Sequence, residues 1–270
     1  MNIIVCVKQV PDTEKIQIDT KKHVLIREGV ASIMNPYDGY ALEAAARVKD
    51  LNPETRITVV SMGPPQAEKI LRECLAIAAD RAYLITDPAF SGSDTYATSL
   101  ILSQAIKYIE ESEKTKFQAI FCGKQAIDGE TAQVGPEMAE QMGYPQITSC
   151  LSVKEGQEEL VVLQESELEK RVLGISCPCV LTFTKADQDP RFPSIKRKME
   201  AKKAVIPQIG LKDLKRINKK EVGLQGSPTK VKTTYVQMTR REGTILDLEQ
   251  AGVEKCLQMA FDAIMRGRKE

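Results

Sequence analysis

Short apolar runs alternating with helix-period stripes constrain this chain more than any other feature. Ile3–Val7, Ile57–Ser61, Arg81–Thr86 and Phe117–Cys122 are rich in β-branched, aliphatic and aromatic residues over strand length. Runs that are apolar almost throughout belong to strands covered on both faces. Between them lie three stripes at helical spacing. Tyr37, Tyr40, Ala41, Ala44, Ala45 and Val48 form the first, Ala67, Ile70, Leu71, Cys74 and Ala78 the second, and Ala97, Leu100, Ile101, Ala105 and Tyr108 the third. The order β-α-β-α-β-α-β predicts an α/β fold with a mostly parallel sheet, because parallel neighbours need a crossover between them.

Local signals agree with this order. Asn35 suits a helix N-cap, Pro36 the first helical position and Asp38 the acid of a capping box. After Cys122 comes a loop, then a short helix carrying Val134, Met138 and Met142, which Gly143 and Pro145 end. The closely spaced segments Ile147–Val153, Glu159–Glu165, Lys170–Ile175 and Val180–Thr184 read as an antiparallel extension, closing a first domain over residues 1–185. Residues 186–241 are basic and broken by Pro190, Pro193, Pro207 and Pro228, as in a recognition loop and linker. Residues 242–270 form an arm whose helix lines up Val253, Leu257, Ala260, Phe261 and Ile264. A lone amphipathic helix must dock, on its own domain or on another subunit.

Charge and cysteine usage narrow the function. Lys and Arg number 38 against 37 Asp and Glu, so the chain is no globally basic nucleic-acid binder. The segment Lys185–Arg241 holds 16 basic and 5 acidic residues, but only Phe192 and Tyr235 interleave them, which fits an acidic protein partner better than a nucleic acid. An odd count of 7 cysteines, mostly within apolar runs, predicts free thiols in a reducing, cytoplasmic setting. No run approaches the roughly 18 apolar residues of a membrane span. The single histidine, His23, reads as a bystander and excludes His-based triads and multi-His metal sites. Cys177 and Cys179, one residue apart with no second pair, cannot complete a tetrahedral metal site, so no metal is expected.

The most informative segment runs from Gly123 through Lys124, Gln125, Ala126, Ile127, Asp128, Gly129, Glu130, Thr131, Ala132 and Gln133 to Val134. It leaves a buried strand and enters a helix, so backbone N–H groups and the helix dipole converge where a phosphate could sit. An ordinary strand-to-helix turn reads equally well from geometry alone. It is neither a Walker A loop nor Gly-x-Gly-x-x-Gly. Cys6–Asp12, Asn35–Asp38 and Met62–Pro64 would reach the same sheet edge, where open parallel sheets bind ligands.

Taken in order, Val7–Thr13, Met34–Asp38, Ser61–Pro64 and Gly123–Val134, with the later Thr184–Ser194 loop and Met199–Ala204, resemble the β (small) subunit of electron-transfer flavoproteins over nearly the whole chain. The resemblance implies a Rossmann-like, adenine-nucleotide-binding domain paired with a larger FAD-containing α subunit. Ordinary members hold AMP in the β subunit. Electron-bifurcating members hold a second FAD, which takes hydride from NADH and sends electrons to the α-subunit flavin, serving a dehydrogenase of acyl-CoA or lactate type, and to ferredoxin. Pro11-Asp12-Thr13, Asn35-Pro36-Tyr37-Asp38 and Asp128-Gly129-Glu130-Thr131 resemble the bifurcating version.

On that likeness the Gly123–Val134 loop would bind pyrophosphate and ribose, with Gln125, Gly129, Thr131 and Gln133 as donors and close-approach sites. Adenine would lie near Cys6 and Asn35–Asp38, Met62 would pack on its ring, and Lys8 and Asp12 would lie closest to the flavin. Asp187, Gln188, Asp189, Pro190, Arg191, Phe192 and Pro193 would meet the partner dehydrogenase, although the anchoring leucine of ordinary members has no match here. No side chain is required as a nucleophile. The competing readings are an AMP-holding structural subunit and an adenine-nucleotide hydrolase, the latter resting on Ser91-Gly-Ser-Asp94.

Overall fold

The computed structural model describes residues 1–12, 17–19, 24–26, 31–157, 159–187, 189–230 and 248–267. Thr13, His23, Gln188 and Tyr235, named above, lie outside the described residues. The chain divides into two units, Met1–Thr234 and Tyr235–Glu270.

In the first unit the apolar runs are strands and the stripes are helices. β1 (Asn2–Cys6) is followed by the short strands β2 (Gln9–Pro11), β3 (Gln17–Asp19), β4 (Val24–Ile26) and β5 (Ser32–Met34), which pair antiparallel as β2 with β5 and β3 with β4. Then come α1 (Pro36–Leu51), β6 (Arg56–Met62), α2 (Glu68–Ile77), β7 (Arg81–Ile85), α3 (Thr95–Glu113), β8 (Ala119–Gly123) and α4 (Val134–Met142). The chain continues through β9 (Gln146–Glu155), β10 (Leu160–Glu165), β11 (Lys170–Ile175), β12 (Cys179–Phe183), α5 (Ile195–Lys203), β13 (Gln208–Ile209) and α6 (Gly223–Gly226). Gly143 ends α4 in the left-handed conformation at φ 69°, as its residue type predicts.

The main sheet has the order β11-β10-β9-β12-β8-β1-β6-β7-β13. From β9 to β13 all neighbours are parallel, and β10 and β11 extend it antiparallel. The fold is therefore α/β, with a mostly parallel sheet flanked by helices. Side chains of β1 alternate between two cores, Ile3 and Val5 packing with α1 and α2 residues, Ile4 and Cys6 with α3 and α4 residues. This two-sided burial is why the strand sequences lack polar alternation.

One local expectation differs from the structure. Val180–Thr184, read with the antiparallel extension, supplies β12, which inserts between β8 and β9 and runs parallel to both. Its register is set by burial on both faces, every residue from Cys179 to Phe183 being buried, and the Phe183 ring lies 4.9 Å from that of Phe121. The first unit continues past residue 185. β13 pairs with β7 there, and α5 and α2 cap one another. Arg197 donates to Leu75 O and Ala79 O, while Arg72 donates to Ala201 O and Ala204 O, satisfying the orphan carbonyls at both helix ends.

The second unit carries α7 (Leu248–Ala251) and α8 (Val253–Gly267). The predicted stripe lies on α8, with Leu257, Phe261 and Ile264 exposed. Among the described residues no helix is long and apolar enough to cross a membrane, and no cluster of His, Cys, Asp and Glu could hold a metal.

Candidate functional site

From β1 the chain builds outward to β6 and β7 on one side, then returns through α3 to β8 on the other. The connections leaving β1 and β8 thus diverge at their carboxyl ends, the arrangement that opens a crevice in a parallel sheet. A cavity of about 360 Å³ lies there, within the size range of small-molecule sites. Cys6, Val7 and Lys8 line it from the end of β1, Asn35 and Asp38 from the start of α1, Met62 from β6, and the segment after β8 from Cys122 to Gly135 forms much of its wall.

The loop after β8 is held from outside its own sequence. Asp38 is 5% exposed; its Oδ1 accepts from Gly123 N at 3.0 Å and Asn35 Nδ2 at 2.9 Å, and its Oδ2 accepts from Lys8 N at 2.7 Å. Asn35 also donates to Gln125 O at 2.9 Å and accepts from Ile127 N at 3.2 Å. Neither side chain does the capping that its position predicts: Asn35 makes no side-chain cap, and both reach across to the loop instead. The loop is more favourably served this way, because its interior N–H and C=O groups have no ladder to join.

Gly123 is required by this contact. A Cβ there would lie 2.7 Å from Tyr37 Cβ and clash with Asp38 Oδ1. Gly135 is equally constrained, since its Cβ would fall 2.5 Å from Thr182 Cγ2. Gly129, singled out in the sequence as a close-approach site, has open space around it, so no neighbour within the chain demands glycine there.

Farther along the loop, Glu130 and Ala132 adopt φ of 53° and 55°, and Gln133 follows in the right-handed region at φ −103°, ψ −32°. A left-handed residue followed by a right-handed one turns successive N–H groups into a concave anion nest, here leading into the N-terminus of α4. Left-handed backbone at two non-glycine residues is strained, and strain of this kind concentrates at binding sites. The apolar part of the lining includes Val7, Met62 and Leu102. Burial pushes the Cys6 thiol up to about 12, aided by the Asp38 charge, so it faces the cavity as a neutral, weakly polar group. An anion nest beside an apolar slot fits an adenine nucleotide.

Most of the proposed site residues converge on this cavity. Cys6, Lys8, Asn35, Asp38, Met62, Gly123, Lys124, Gln125, Ala126, Gly129, Thr131, Ala132, Gln133 and Val134 line it. Pro36, Tyr37, Ile127, Asp128 and Glu130 support the lining without belonging to it, and Asp128 pairs with Lys8 Nζ at 2.7 Å. Asp12, placed near the flavin by the family likeness, is 7% exposed with its N–H on Ala31 O, and does not line the cavity.

A further wall includes Ser93 and Asp94, which the sequence offered only as part of the hydrolase reading, and Thr95, Thr98 and Leu102, for which it offered no reading. These residues come from the loop after β7 and the start of α3. Beyond that the signal was positional, since that loop leaves the same edge of the sheet. Asp94 caps α3 through Ala97 N and accepts from Thr229 N and Oγ1, while Ser93 Oγ accepts from Gly223 N. The Ser91–Asp94 segment, the basis of the hydrolase reading, therefore ties α3 to the segment 223–229.

In the proposed partner-contact loop, Arg191 faces inward. It reaches Glu43 at 2.9 Å and Asp50 at 2.6 Å, holding both carboxylates below their ordinary range. Tyr40 donates to Asp189 at 3.1 Å. Phe192, in contrast, is 95% exposed. The basic segment is thus partly consumed by internal pairs, Arg191 and Arg197 among them.

Comparison with known proteins gives the lineage. Residues 22–214 match the electron transfer flavoprotein domain family. The chain is 44% identical to an electron transfer flavoprotein subunit beta of Megasphaera elsdenii, over 96% of this chain and 97% of the relative. It is 42% identical to subunit CarD of a caffeyl-CoA reductase–Etf complex of Acetobacterium woodii, covering 91% and 92%, and 40% identical to protein FixA of Bradyrhizobium diazoefficiens, covering 98% and 91%. With a family match across most of its length and such relatives aligned nearly end to end, the chain belongs to the electron transfer flavoprotein family, among its β subunits.

Proposed function

We propose that this chain pairs in the cytoplasm with an electron transfer flavoprotein α subunit and holds FAD in the cavity at the ends of β1 and β8. There FAD would accept hydride from NADH and pass electrons toward the α-subunit FAD, which serves a dehydrogenase of acyl-CoA or lactate type, and toward ferredoxin. The observation that carries this reading is the nest at Ala132–Gln133 opening into α4, in a cavity that Val7, Met62 and Leu102 also line.

The chain's own work is binding and orientation. Backbone N–H groups from Ala132 to Val134 would take the diphosphate, and the loop presenting them is held by Asn35 and Asp38. The neutral Cys6 thiol and the Met62 side chain offer a low-polarity surface to an aromatic ring. Lys8, bound to Asp128, spans from the β1 end to the loop and places positive charge at the cavity. Exposed Phe192, with Asp187 and Pro193 beside it in the chain, is our candidate for contact with the dehydrogenase.

The test is to denature the co-purified heterodimer and identify the nucleotides released. FAD as the sole nucleotide supports the reading; AMP beside FAD replaces it with the structural-AMP alternative. Reduction of the complex by NADH then tests the donor.

A further inference from the structure

We infer that Asp38 is a positioning residue whose ionised form locks the Gly123–Val134 loop for binding, so that retention of the nucleotide is coupled to one proton. This deepens the proposed nucleotide site and rests on it. The geometry is one-sided: both carboxylate oxygens accept from N–H donors, those of Lys8, Gly123 and Asn35. A protonated Asp38 would set its own O–H against one of those donors and release a strand end or the loop. The Gly123 contact is close enough that not even a methyl group fits between loop and carboxylate. Asn35 spreads the same anchor to Gln125 and Ile127.

The groups facing Asp38 leave it as the one that titrates near neutrality. Cys6 from β1, Cys74 from α2 and Cys122 from β8 are all pushed up by burial, and the charged neighbours are Lys8 and, through it, Asp128. Burial raises Asp38 to about 7, against the hydrogen bonds from Asn35, Lys8 and Gly123 and the Lys8 charge.

The experiment titrates the full chain with FAD, whose diphosphate keeps its charge over the range used, between about pH 6 and pH 8. If only the ionised form binds, the competent fraction at pH 6 predicts a Kd about tenfold weaker than at pH 8. Asp38→Asn should bind more weakly than wild type at pH 8 and show no pH dependence. Lys8→Gln keeps the Lys8 N–H but removes a charge that favours ionisation, so its midpoint should move to higher pH, which keeps the test open if Asp38→Asn does not fold. Binding that is flat with pH, that tightens toward pH 6, or whose midpoint is unmoved in Lys8→Gln overturns the inference while leaving the nucleotide site standing. No binding of FAD at any pH overturns the FAD reading of the site on which the inference rests.

Discussion

The centre of the sheet and its antiparallel margin differ in composition and burial, with Lys170 and Arg171 exposed on β11 where the central strands are apolar. At β1, β8 and β12 side chains are buried on both faces, whereas β11 carries Val172 at 70% exposure and ends the sheet. The central strands end at diverging crossovers and create a crevice, whereas β10 and β11 pair antiparallel as neighbours in the chain. A parallel sheet obtains a binding site from its connectivity, and the antiparallel extension contributes edge and area.

The comparison predicts effects of very different size. Phe121→Ala, which empties a fully buried position against Phe183, should cost about 3–5 kcal/mol in denaturant unfolding. A loss under about 1 kcal/mol would mean that the centre is no tighter than the margin. Next comes pH. Asp38 lies at about 7 in the folded protein against 3.8 as an unperturbed group, so the native state holds a proton that the unfolded chain has released. Its contribution is therefore fully present below about pH 4 and is lost as pH rises to 7, by an amount on the order of a few kcal/mol. Stability curves of wild type and Asp38→Asn should diverge over that window, and parallel curves would remove the burial argument. The same carboxylate thus holds the loop best at the pH where it destabilises the fold most.

Gly123→Ala should cost about 1–3 kcal/mol, because the added methyl meets the Tyr37 backbone and Asp38. FAD affinity should fall with it, and an unchanged affinity would detach the loop from its anchor. Smallest are Gly129→Ala and, at the margin, Val172→Thr, each within about 0.5 kcal/mol of wild type. For Gly129→Ala a loss of FAD binding at unchanged stability would show that the bound nucleotide, and not the chain, requires glycine there.

Much of this was legible from residue order. The β1, β6, β7 and β8 runs, the helical stripes and the Gly143 stop follow from periodicity and backbone preference, which are local properties. The Gly123–Val134 loop could be located because a strand, a loop and a helix start follow one another in sequence. The bonds that give it shape could not be located so. Asn35 and Asp38 carry the residue types of a helix cap, and nothing nearby in sequence says that their side chains reach Gln125, Ile127 and Gly123 instead. Arg191 likewise reads as an exposed cation until Glu43 and Asp50 are seen beside it. The cavity wall from Thr95 to Leu102 carried only the weak signal of its sheet edge.

By itself the amino-acid order determined the succession of strands and helices, the sidedness of each and, through ordered motifs, the flavoprotein lineage, because these depend on neighbours a few residues apart. The place of β12 inside the parallel sheet, the conversion of two apparent capping residues into an anchor for a distant loop, and the proton affinity of Asp38 were decided only in three dimensions. Each depends on burial and on partners separated by 30 residues or more in the chain, and it is burial, absent from the unfolded chain, that makes a buried carboxylate surrounded by N–H groups sensitive to pH near neutrality.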